Sequence, residues 1–193
     1  RVHHQLTWPG VSLNFGAVRV SEQVVGFTRR RAITRQLLST EPLDLPPREL
    51  ETMAVWWTID AASIAAAGLE HLDLAGAAHA AEHASIALLP LFATCDRWDI
   101  GGVSTPLHPD TGQLTVFVYD GYPGGAGFAE HGFAIAPAWL SATRTLIAEC
   151  GCQHGCPACV QSPKCGNGNE PLDPSGALGL LDLLLARTGT ALQ

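Results

Sequence analysis

Five of the six cysteines fall within sixteen residues: Cys150, Cys152, Cys156, Cys159 and Cys165. The first four read C-x-C-x3-C-x2-C. Thiolates crowded in this way can converge on one ion, and zinc is the natural guest. It accepts four soft sulfur ligands in a tetrahedron and has no redox chemistry of its own. Gly151, Gly155 and Pro157 permit the tight turns that bring sulfurs to a common centre. A disulfide framework is a rival reading, since the cysteine count is even. C-x-C pairs suit disulfide geometry badly, nothing reads as a secretory signal peptide, and the chain is long enough to build a core without staples. An iron–sulfur cluster is the third reading, but the spacing departs from the bacterial ferredoxin run. Cys150, Cys152, Cys156 and Cys159 are the favoured ligands because they are closest together. Cys165 can replace one of them, and His154 is a further alternative. Cys95 stands alone and reads as a small buried residue. A site closed by four thiolates has no open position, so it staples a loop and performs no catalysis.

The remaining composition suits a globular unit. Of 193 residues 47% are hydrophobic and 15% charged, enough apolar side chains for a substantial core. No apolar run approaches the length of a membrane span; Ala84–Thr94 is too short and carries Pro90. The net charge of −7 argues against a general polyanion grip. Positive charge is local, in Arg29, Arg30, Arg31 and Arg35. These residues read either as a solvated hairpin edge, where charge discourages edge pairing, or as phosphate contacts.

The pattern along the chain predicts an α/β (α+β) fold: a mixed sheet, flanking helices, a β-rich N-terminal part and a C-terminal tetracysteine zinc knuckle. Residues 1–58 form the β-rich segment, 59–148 an α/β core, and 149–187 the knuckle plus a terminal helix, all within a single accessory domain spanning 1–193. Val18–Phe27, Ala32–Leu38 and Met53–Ile59 read as strands. In the last, Trp56 and Trp57 point to opposite faces. Asp60 caps a short helix over Ala61–Gly68, and Leu74–Thr94 reads as one long buried helix. Asp96–Asp110 reads as a loop and Leu114–Tyr119 as a central strand. Phe128–Ala148 is helical with a break near Pro137. Pro174 opens a last helix that runs through Arg187.

Two further constellations carry possible chemistry. His79-x-x-Glu82-His83 has the form of the inverted zinc-protease motif, with two histidine ligands one helical turn apart and a glutamate base. A third ligand has to come from elsewhere; Asp99, Asp120 and Glu130 are candidates. The bland alternative is an alanine-rich core helix whose polar groups are satisfied by nearby loops. The run from Asp120 through Phe128 is a glycine-rich strand-to-helix turn. It could present amides to an anion, although backbone packing is the favoured reading and no Walker lysine follows. Asp96, Asp99 and His108 could gather with Asp120 and the histidine helix into a polar pocket.

Three stretches together resemble one family: HAAEHASIALLPLFATCDRWDIGGVSTPLHPDTG from His79, VFVYDGYPGGAGFAEHGF from Val116, and CGCQHGCPACVQSPKCGNGNEPLDPSGA from Cys150. They are similar to the C-terminal zinc-binding domain of bacterial DEAD/DEAH-box superfamily two helicases of the Hrq and mitomycin-repair-factor type. The resemblance covers about residues 50–187. It implies a parent that is a DNA-dependent ATPase, translocating 3′ to 5′ and unwinding duplexes in DNA repair. It also implies one structural zinc on Cys150, Cys152, Cys156 and Cys159, with ATP and Mg2+ bound only by the parent's motor domains. The implied partners are DNA, the motor domains in cis and a repair nuclease. The implied setting is cytoplasmic and nucleoid-associated, monomeric and away from membranes. This chain has neither a G-x-x-x-x-G-K-[ST] loop nor a DEAH-like motif, so it is not expected to hydrolyse ATP or unwind DNA alone. Two rival functions remain open at this level: a cryptic metallohydrolase built on His79, Glu82 and His83, and a stand-alone single-stranded DNA-binding module using the arginine group.

Overall fold

The computed structural model describes residues 1–188. Strands β1 (Val2–Trp8), β2 (Val11–Glu22), β5 (Arg48–Ile59), β6 (Ile100–Thr105) and β7 (Leu114–Asp120) form a five-stranded sheet in the order β1-β2-β5-β7-β6. Strands β3 (Gly26–Arg30) and β4 (Leu37–Pro42) make a separate two-stranded hairpin. Side chains alternate across a strand, so registered neighbours share a face. Leu13, Trp57 and Val116 are aligned across three strands, as are Val11, Ile59 and Leu114. All six belong to the buried core. Trp56 pairs with Asn14 and Phe117 instead and lies on the other face, as the alternation predicts.

The helical layer is built around α2 (Leu74–Leu88), in which every residue from Gly76 to Ile86 is buried. A helix covered on all sides sits at the centre of its layer. It packs on β6, β7, α5 (Ala136–Glu149) and α6 (Pro174–Thr188). Small residues make the α2–α6 approach possible: a Cβ on Gly176 would lie 2.7 Å from the Cβ of Ala77. Helix α1 (Ala61–Ala66) is capped as expected, with Asp60 accepting the Ser63 N–H at 2.7 Å. Helix α4 (Phe128–Ala134) precedes α5, with the break near Pro137. No helix among the described residues is long and apolar enough to cross a membrane.

The α+β architecture with flanking helices matches the sequence reading, but several boundaries differ. Every adjacent strand pair is antiparallel, where a mixed sheet was expected. The helical crossover does join two parallel strands, β5 and β6, yet β7 inserts between them. Val18–Phe27 is interrupted because β2 loses its partner after the Glu22–Arg48 pair. Ala32–Leu38 is mostly turn: Arg35 sits at φ 57° and its N–H reaches the Arg31 carbonyl at 2.9 Å. The long helix ends at Leu88, and α3 (Pro90–Ala93) follows, since proline cannot continue the hydrogen-bond ladder. The expected loop Asp96–Asp110 contains β6. Its Gly101-Gly102 pair reads poorly as strand, yet a side chain at Gly102 would collide with Glu82, whose Oε1 lies 2.6 Å from the Cβ position.

Candidate metal centre

The segment between α5 and α6 is almost free of regular structure, and it carries every cysteine of the two candidate clusters. In the first, the Sγ atoms of Cys150 and Cys152 are 3.5 Å apart, Cys150 and Cys156 3.5 Å, Cys152 and Cys159 3.4 Å, and Cys156 and Cys159 3.7 Å. A disulfide would bring sulfurs to about 2.0 Å, and all of these cysteines are free. Tetrahedral zinc with Zn–S near 2.3 Å sets sulfurs about 3.8 Å apart, so the quartet fits that ion. Backbone supports the arrangement: the Cys156 N–H donates to Cys159 Sγ at 3.3 Å. The Cys159 and Cys150 thiols shift in opposite directions. Burial pushes Cys159 up to about 12. A backbone bond at Cys152 and the neighbouring thiols bring Cys150 down to about 7. Four thiolates in so small a volume repel one another, and a dication is what allows all of them to ionise.

Cys165 and His154 are not in this quartet. His154 is exposed. Cys165 instead joins His79 and His83, the ligand atoms of all three lying within 4.8 Å of one another. Its Sγ is 3.4 Å from His79 Nε2 and accepts the Asn169 N–H at 3.3 Å. The Nδ1 atoms of His79 and His83 lie 2.8 Å from the carbonyls of Pro171 and Val160. Burial, against the pull of the Val160 carbonyl, lowers His83 to about 4. Glu82, between the two histidines, is raised to about 7 by burial, with a bond to Ser104 acting against it. Sequence reasoning offered Cys165 only as an alternative ligand of the quartet; nothing in the linear pattern shows that the loop folds back onto α2, where Cys165 meets the histidine pair. It also missed Lys164, whose Nζ ties this loop to the carbonyls of Arg97 at 3.0 Å and Ile100 at 2.5 Å.

The acidic residues expected around the histidine pair are elsewhere. The cluster contains neither Asp99 nor Asp120 nor Glu130. Asp120 is fully buried, and its carboxylate accepts the N–H groups of Ala126 at 2.5 Å, Gly127 at 2.8 Å and Ala129 at 2.8 Å. The amides that could have greeted an outside anion are therefore occupied by the chain's own carboxylate. Asp99 accepts the Asp96 N–H at 2.8 Å and the Tyr122 hydroxyl at 2.6 Å. Glu130 is exposed. The His108 ring lies tilted against Phe117, with ring centroids 5.0 Å apart, and lines a different cleft from His79, Glu82 and His83, so the five groups do not form one pocket. Arg29, Arg30, Arg31 and Arg35 are all exposed on the β3–β4 hairpin. Arg29 pairs with Glu41 at 3.3 Å, and the Arg30 guanidinium reaches the Arg35 carbonyl at 3.5 Å.

Comparison with known proteins gives a consistent result. The family model described as the MrfA Zn-binding domain matches residues 81–160, a span that includes all four cysteines of the quartet. The chain is 36% identical over 151 residues to the uncharacterized ATP-dependent helicase YprA of Bacillus subtilis, covering 77% of this chain and 20% of the relative. It is 38% identical over 113 residues to the uncharacterized protein MJ1572.1 of Methanocaldococcus jannaschii, covering 56% of this chain and 99% of that one. The crystal structure of the DUF1998 helicase MrfA bound to DNA superposes with a TM-score of 0.69 at 29% identity, covering 95% of this chain and 24% of the helicase. The chain thus spans about a fifth to a quarter of the helicases it matches.

Proposed function

Because the chain belongs to the MrfA Zn-binding domain family, we propose that it is the C-terminal accessory domain of an ATP-dependent 3′–5′ DNA-repair helicase. In this reading Cys150, Cys152, Cys156 and Cys159 hold one structural zinc. The observation that carries it is the compact sulfur quartet, with neighbouring sulfurs 3.4–3.7 Å apart and all four within 4.8 Å of one another, inside the matched segment. Cys150 directly follows α5, and α6 begins after Asp173. An ion holding the loop therefore fixes how α5 and α6 sit against α2. The domain works as a rigid body against the motor domains, which supply ATP and Mg2+ binding and the stroke.

DNA engagement is the second part of the proposal. The β3–β4 hairpin stands apart from the main sheet and carries Arg29, Arg30, Arg31 and Arg35 exposed. Clustered cations on a projecting hairpin suit phosphate contact despite the net charge of −7. The protein acts as a monomer in the cytoplasm, at the nucleoid, with the motor domains and a repair nuclease as partners. The test is fluorescence anisotropy with single-stranded DNA across a salt series. Replacing Arg29, Arg30 and Arg31 by alanine is expected to weaken binding and to flatten the salt dependence by about 0.7 per lost contact. Equal affinity and equal salt dependence in the variant would remove the hairpin from the DNA path.

A further inference from the structure

We propose that His79, His83 and Cys165 form a second zinc site, independent of the tetracysteine quartet, whose fourth position opens onto the cleft between α2, β6 and the cysteine loop. His79 and His83 are one turn apart on α2, and each ring is largely buried, 9% and 6% exposed. Each Nδ1 is 2.8 Å from a backbone carbonyl, Pro171 for His79 and Val160 for His83. A carbonyl can only accept, so both Nδ1 atoms carry the proton. The lone pair left to each ring is then on Nε2. This is how metal-binding histidines are oriented, with the far nitrogen donating to a carbonyl.

Cys165 supplies the third donor. Its Sγ is 3.4 Å from His79 Nε2, close to the separation of about 3.6 Å that nitrogen and sulfur ligands adopt on one tetrahedral zinc. It accepts the Asn169 N–H at 3.3 Å, the same support that Cys159 receives from Cys156 in the quartet at 3.3 Å. A thiol–imidazole hydrogen bond alone does not account for the group. One S–H can serve one imidazole lone pair, whereas two converge here, with ring centroids 4.2 Å apart. A soft cation satisfies all three donors. Imidazole and thiolate together select zinc over magnesium or calcium, which take oxygen ligands.

Three protein ligands leave one coordination position. His79, Glu82, His83, Ser104, Tyr119 and Cys165 line one cleft, so that position takes water or an anionic oxygen entering from it. The loop is also pinned to α2 at two points, since Val160 follows Cys159 directly and Pro171 lies beyond Cys165.

The test is metal content of the purified chain by elemental mass spectrometry. Two zinc ions per chain are expected. Cys165→Ser and His79→Gln are each expected to keep one, and Cys156→Ser to keep the other. One zinc in the wild type, or two retained in both Cys165→Ser and His79→Gln, overturns the site. Zinc-edge absorption on the wild type needs no variant to fold. A nitrogen or oxygen shell at about 2.0 Å beside sulfur at about 2.3 Å supports the proposal, and a pure sulfur shell refutes it. In the cobalt-loaded wild type, azide is expected to shift the visible bands, because the four-thiolate site has no room for it; an unchanged spectrum rules out the open position.

Discussion

Removing the Asp120 carboxylate tests whether the glycine-rich turn is a closed structural device. Asp120 is fully buried and accepts three backbone N–H groups at 2.5, 2.8 and 2.8 Å. Hydrogen bonds to a charged acceptor contribute about 1.5–3 kcal/mol each, and a buried donor left unpaired costs about 1–3 kcal/mol. The three bonds share one acceptor and are not additive, so Asp120→Ala is expected to cost about 4 kcal/mol. That is a large part of a stability of roughly 5–15 kcal/mol. Asp120→Asn is the sharper variant. Its amide oxygen can still serve Ala129, but its NH2 group then faces the donors of Ala126 and Gly127, and a loss of about 2–3 kcal/mol follows. The assay is urea denaturation at saturating zinc, so that metal binding contributes equally to each protein. Losses below about 1 kcal/mol for both variants would refute the reasoning and return the turn to the list of anion-binding candidates.

Three further outcomes are expected. Cys156→Ser should release zinc from the quartet and raise amide exchange from residue 150 to 173; retained quartet zinc with an unchanged melting temperature would contradict this. Trp57→Ala, in a position only 2% exposed and flanked by Leu13 and Val116, should cost about 3–5 kcal/mol in the same denaturation assay. The Tyr122 hydroxyl and the Asp96 N–H hold Asp99 below the ordinary aspartate value of 3.8. Its contribution is therefore present above that value and lost as pH falls through the lower folded one. Carboxyl titration by NMR should show this depression and its partial relief in Tyr122→Phe; identical titration curves would remove the Tyr122 contribution.

The parts legible in the sequence were those governed by short-range chemistry. The quartet spacing, the Asp60 cap, the Pro137 break and the opposite-facing Trp56 and Trp57 all follow from local rules. What escaped depends on distant partners. Strand β6 carries Gly102 because Glu82, far earlier in the chain, needs the space above it, and Gly101 because the Tyr119 ring on the paired strand fills the opposite face. Placing Cys165 beside His79, 86 residues away in the chain, requires the loop to return onto α2. The sheet became wholly antiparallel because β7 entered between β5 and β6, a choice that no local pattern encodes.

An anomalous difference map at the zinc absorption edge, from crystals of the native chain, puts the central idea to its most direct trial. A peak about 2.3 Å from the sulfurs of Cys150, Cys152, Cys156 and Cys159 is the predicted result. No peak among those four atoms, or sulfur pairs joined as disulfides there, would contradict it.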